Sequence, residues 1–173
     1  MVIKKLEEYL PKYLTNMRNA KSQPAKEIHF SHFLKDIFGI QPEEFVMEML
    51  VKSKVLLVKG KVDAVFGNLI IEFKLNLDKE LDDAEEKLEK YFQALKERHP
   101  TTNYIGFATD GIKFKVYKPV FDKNVVKQIK EVESFDFDQT KYPESIYLWF
   151  DSYLFTTTEK IPPTTEDLRR RFG

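Results

Sequence analysis

The chain has 173 residues, with 28 basic side chains balanced by 28 acidic ones. Zero net charge argues against a nucleic-acid binder working through bulk charge, but leaves room for a local basic groove. The length suits one domain with a full core, and the absence of cysteine excludes a disulfide framework or a thiolate metal site.

Residues 2–20 carry Ile3, Leu6, Tyr9, Leu10, Tyr13 and Leu14 at helical spacing. Pro11 is expected to break or kink this helix. Ser22 can cap the next helix, with Pro24 near its first turn and Gly39 at its end. Its apolar side is Ile28, Phe30, Phe33, Leu34, Ile37 and Phe38. His29 and His32 lie one turn apart on it, and solvated histidines explain them more simply than a zinc pair does. Residues 42–51 read as a short helix and Val55–Val58 as a strand. The longest helical pattern spans about 78–98, through Leu81, Ala84, Leu88, Tyr91, Phe92 and Leu95, with acidic residues crowding its start.

Beyond it, Tyr104–Ala108 reads as a buried strand, Asp110-Gly111 as a hairpin turn, and Ile112–Tyr117 as a strand with one wet face. Residues 119–141 read as a connecting region with a short helix near 123–130. Pro143 opens a helix that is apolar nearly all round, through Ile146, Leu148, Trp149, Phe150, Tyr153 and Leu154. Pro162-Pro163 reads as a linker, followed by the start of another helix. Strands and helices in this order predict an α/β fold with a mixed central sheet flanked by helices. Nothing resembles a signal peptide or membrane span, so a cytoplasmic protein is expected.

The richest stretch runs from Gly60 to Lys74. Two β-rich runs flank Gly67-Asn68, which reads as a two-residue turn. That turn would set Phe66 opposite Leu69 and Asp63 opposite Glu72, with Lys74 on the same face. Val62, Ala64, Phe66, Leu69, Ile71 and Phe73 would form the apolar face. Two opposed carboxylates repel, raise each other's proton affinity, and invite a divalent cation, with Lys74 offsetting part of the repulsion. The plainer reading is a solvated strand edge with a surface ion pair.

The order Asp63, then Glu72-Phe73-Lys74 at the end of an apolar strand, resembles the PD-(D/E)XK nuclease superfamily, with Val62 where proline often precedes the aspartate. The resemblance implies a restriction-endonuclease-like fold and Mg²⁺, replaceable by Mn²⁺. It implies metal binding by Asp63, Glu72 and the Phe73 carbonyl, with catalysis by Asp63, Glu72 and Lys74. Glu27, on the first core helix, is a further metal-site candidate. Members often carry Gln-x-x-x-Tyr on the next helix; aligned on Tyr91, Lys87 replaces the glutamine. Lys59 and Lys61, beside Asp63, and Lys87 are candidate DNA contacts.

Together with Ala108–Ile112 and the Leu168…Phe172-Gly173 tail, the motif resembles the amino-terminal nuclease domain of type IIG restriction enzymes. That implies a nuclease domain over 1–158 with a helical extension at 1–22. Residues 159–173 would lead toward downstream methyltransferase and target-recognition domains, with double-stranded DNA as partner. The alternatives are a catalytically silent DNA-binding or docking module, or the nuclease domain of a type I restriction subunit.

Overall fold

The computed structural model describes residues 2–39, 45–50, 53–59, 68–98, 100–101, 103–140 and 142–154. Helix α1 (Val2–Asn19) buries Leu6, Leu10, Tyr13 and Met17 along one stripe. It runs unbroken through Pro11, contrary to expectation. Pro11 forfeits its N–H bond and crowds the carbonyl one turn back, a cost offset by the buried residues on either side that hold the helix to the core. Helix α2 (Gln23–Phe38) starts as read: Ser22 Oγ accepts from the Ala25 N–H at 3.3 Å. It ends on Gly39, whose φ of +67° suits glycine.

The expected helix at 42–51 is instead strand β1 (Phe45–Leu50), paired antiparallel with β2 (Ser53–Lys59). Strand pairing overrides local helical spacing here. After β3 (Asn68–Phe73), helix α3 (Leu77–Arg98) crosses to β4 (Tyr104–Thr109), parallel to β3. Strand β5 (Lys113–Asp122) and strand β6 (Val125–Asp136) complete an antiparallel ribbon. Residues 119–141 were expected to be a connection with a short helix. Left-handed φ values at Lys123 and Asn124 instead turn the chain sharply into β-branched Val125-Val126. A 3₁₀ turn (Phe137–Gln139) leads to α4 (Pro143–Leu154), which matches expectation.

The six strands lie in the order β1-β2-β3-β4-β5-β6. The class is α/β, with a mixed sheet and flanking helices, as predicted. One face packs α1, α2 and α4 over Leu69, Ile71, Phe73, Phe107, Phe114 and Val116. The other packs α3 over Ile70, Ala108 and Tyr117. Gly106 permits the close approach of α3, since a Cβ there would lie 2.8 Å from the Phe92 ring. No helix among the described residues is long and apolar enough to cross a membrane.

The tight hairpin at Gly67-Asn68 is not the register of this sheet. Leu69 is flanked by Val58 on one side and Ile105 on the other, and Asn68 pairs with Lys59. Both ladder positions beside Leu69 are filled. The expected placement of Asp63 opposite Glu72 involves residues outside the described ones. Asp63 and Lys61 lie outside the described residues, as do Val62, Ala64 and Phe66.

Candidate active site

Alternation along β3 sends Leu69, Ile71 and Phe73 to the α1–α2–α4 face and Ile70 and Glu72 to the α3 face. Lys74 follows onto the α3 face. Its backbone N–H donates to the Thr109 carbonyl at 2.9 Å, carrying the parallel β3–β4 pairing one residue further. The charged face expected to be wet is covered: Glu72 is 5% exposed and Lys74 2%. The cause is topological. A parallel pair needs a crossover helix, and α3 returns across this face.

Asp110 fixes the start of that helix. One carboxylate oxygen accepts from the Ile112 and Lys113 N–H groups at 3.0 and 2.9 Å, closing the turn read from sequence. The other accepts from the Leu77 N–H at 3.1 Å, at the first residue of α3. The carboxyl ends of the parallel strands and the amino end of α3 therefore meet in one place. Ligands of open α/β sheets gather at such strand ends.

Glu72 Oε1 lies 3.2 Å from Lys74 Nζ and 3.9 Å from Lys87 Nζ. Asp83 Oδ2 accepts a short hydrogen bond from Lys74 and lies 3.5 Å from Lys87 Nζ. Two carboxylates and two ammoniums thus alternate around a square. Tyr91 adds a hydrogen bond to Glu72. The inner pair is buried, whereas the Asp83 and Lys87 side chains are 53% and 40% exposed. The outer pair caps the inner one and forms its border with solvent.

The electrostatics follow from this layering. Burial raises the Glu72 carboxyl above its usual range, against the opposing pull of Lys74, Tyr91 and Lys87. Burial alone would lower Lys74, but its hydrogen bond to Asp83 and the Glu72 charge outweigh that, and the ammonium is held above the ordinary lysine range. The Lys74 hydrogen bond depresses Asp83. Among the described residues, burial is the largest cause of the rise at Glu72.

Of the predicted site residues, the structure unites Glu72, Lys74 and Lys87. Lys87, which stands at the glutamine position of the resemblance, comes within 3.9 Å of Glu72. Lys59 sits opposite Asn68, four residues before Glu72 on β3. Glu27 lies on α2, which packs on the other sheet face, and its carboxylate accepts from Gln23 at 3.4 Å. His29 and His32 line a surface cleft between α1 and α2 with Tyr9, Lys12 and Asp36. Asp83 was missed, being one of several acids at the helix start. The legible signal was Asp83-x₃-Lys87-x₃-Tyr91, a single stripe of α3.

Among the described residues, no group of three or more metal-binding side chains is assembled. The donors present, the Glu72 carboxylate and the Phe73 carbonyl, are hard oxygens. They suit Mg²⁺ in kind, because that ion takes one or two carboxylates and fills its shell with water and phosphate. Comparison with protein-family models, curated proteins and solved structures finds no match to this chain.

Proposed function

We propose that this chain is a Mg²⁺-dependent endonuclease domain of restriction-endonuclease-like fold that hydrolyses DNA phosphodiester bonds, as the cleavage module of a restriction–modification enzyme. The observation that carries the reading is the buried Glu72–Lys74 pair at the carboxyl end of the parallel strands, backed by Lys87 and Tyr91. Glu72 and the Phe73 carbonyl, joined by Asp63, would hold the ion, which Mn²⁺ could replace. The bound ion supplies Lewis-acid charge at the phosphoryl oxygen. Two carboxylates keep Lys74 protonated, so its part is to orient water and phosphate as a fixed positive charge. Lys87, half-exposed at the border, is the cation that an incoming phosphate meets first. Target recognition and methylation belong to other domains of such an enzyme.

A second reading is a nuclease-like module that binds or docks without cutting. It is favoured by the mutual neutralisation of the four charges, which leaves no excess negative charge among them for an ion. Nicking of supercoiled plasmid in Mg²⁺ or Mn²⁺ separates the two. Wild type should nick, and Asp63→Ala and Lys74→Met should each fall by on the order of 10²-fold, as for loss of one transition-state charge contact. Equal nicking by all three proteins overturns the catalytic assignment. Binding of DNA by a wild type that leaves it intact selects the second reading.

A further inference from the structure

The β5–β6 ribbon extends beyond the sheet. Strand β4 pairs with β5 between Gly106↔Tyr117 and Thr109↔Phe114, so among the described residues those beyond Tyr117 have β6 alone as ladder partner. Between Lys118 and Lys130 this extension carries four lysines, Lys118, Lys123, Lys127 and Lys130, against one acid, Asp122. In a chain of zero net charge, this is a marked local excess. Lys123, Lys127 and Lys130 are exposed and form no ion pair among the described residues.

A second observation is independent of the count. Lys118 and Lys130 are directly opposed across the ribbon. Like charges so placed repel, and the half-buried setting of Lys118 aggravates the cost by disfavouring its charged form. The tip is also apolar and exposed: Phe121 is 37% and Val125 59% accessible, and Lys96 of α3 sits 4.8 Å above the Phe121 ring. The ribbon rests on α3 through Gln93, which donates to the Asn124 carbonyl at 3.4 Å and accepts from the Val126 N–H at 2.7 Å, leaving Lys123, Lys127 and Lys130 exposed.

We infer that the Lys118–Lys130 ribbon is an arm that holds the phosphate backbone of double-stranded DNA at a distance from the site of cleavage. The inference rests on DNA being the substrate of the Glu72–Lys74 site. Glu72 is level with Lys115 through Ala108. Eight residues of strand rise and two strand spacings then separate Glu72 from Lys123, about 28 Å. That is roughly eight base pairs of duplex, within reach of the same bound segment. The arm contributes affinity and register, and no sequence reading.

The test is duplex binding by fluorescence anisotropy in EDTA over a range of salt, for wild type and the triple variant Lys123→Gln/Lys127→Gln/Lys130→Gln. These side chains are exposed, so thermal melts should match. The expected result is at least a tenfold loss of affinity at low salt, with the slope of log K against log salt reduced by about 2.7, or 0.9 per lost phosphate contact. Three results overturn the inference: no salt-dependent binding by wild type, unchanged affinity and slope in the variant, or a loss confined to anionic vesicles or self-association. EDTA removes cleavage from the measurement. An arm that fails while wild type still nicks plasmid refutes the arm alone. A variant that loses binding where wild type never nicks refutes the nuclease reading alone.

Discussion

The two faces of the sheet use opposite chemistry. Under α1, α2 and α4 the contacts are ring against ring: Phe114 meets Phe30, Phe107, Phe137, Trp149 and Phe150. Under α3 two buried tyrosines turn their hydroxyls to carboxylates, Tyr117 donating to Glu85 at 2.7 Å and Tyr91 bonding Glu72. The first face contributes mainly area removed from water, with the Tyr13 hydroxyl donating to the Gly111 carbonyl at 2.6 Å. The second accepts the cost of burying charge at Glu72 and Lys74, balanced by partners on α3. One face supports the fold, and the other is where we propose that chemistry occurs.

That division can be broken by mutation, and the sizes should differ. Phe114→Ala removes the ring that joins most of the aromatic cluster and should lower stability by about 3–5 kcal/mol in urea unfolding. A loss under 1 kcal/mol would mean the cluster repacks freely. Next comes Lys74→Ala, which leaves Glu72 buried beside a half-exposed Lys87 and should cost about 3 kcal/mol. Pairing Lys74→Met with Glu72→Gln should recover most of that. Failure of the double variant to recover would show that the pair is not coupled.

Tyr117→Phe deletes one buried hydrogen bond and should cost about 1 kcal/mol. The pH dependence sharpens the contrast further. Glu72, raised mainly by burial, contributes stability that is complete below the ordinary glutamate value and is lost as pH rises through its raised value. Asp83, depressed by Lys74, contributes above the ordinary aspartate value and loses that contribution as pH falls. Replacing Glu72 with Gln should therefore raise stability toward neutral pH relative to wild type, and Asp83→Asn should lower it. Denaturation curves at about pH 4 and pH 7 would show opposite signs. Smallest of all, Arg18→Ala breaks a surface pair with Asp138 and should shift stability by about 0.5 kcal/mol or less.

What the sequence made legible was local. Ser22 and Gly39 bound α2 because caps act within a few residues, and Asp110-Gly111 closes its own turn. The spacing of Leu81, Leu88 and Leu95 placed α3 because a helix with one apolar side has few other ways to sit. What was not legible depended on strand partners distant in the chain. The expected Gly67-Asn68 turn matched a hairpin signal, yet β3 pairs with β2 and β4, a competition that short-range spacing does not report. The same blindness made β1 and β6 look like helix or connection. Most of the candidate site was readable: Glu72 and Lys74 came from their spacing and Lys87 from its place one turn before Tyr91, whereas Asp83 became a partner only once α3 was laid over β3.

The central claim is that the α3 face, through Glu72, is where a divalent cation acts. Calorimetric titration of Mg²⁺ into metal-free wild type and into Glu72→Gln tests it without requiring cleavage. Glu72→Gln keeps the shape of the side chain and the hydrogen-bonding partners Tyr91 and Lys74 beside it, so folding is preserved. The account predicts weak saturable binding by wild type, in the millimolar range of roughly −4 kcal/mol, and its loss in the variant. No binding by wild type, or equal binding by both proteins, would contradict it.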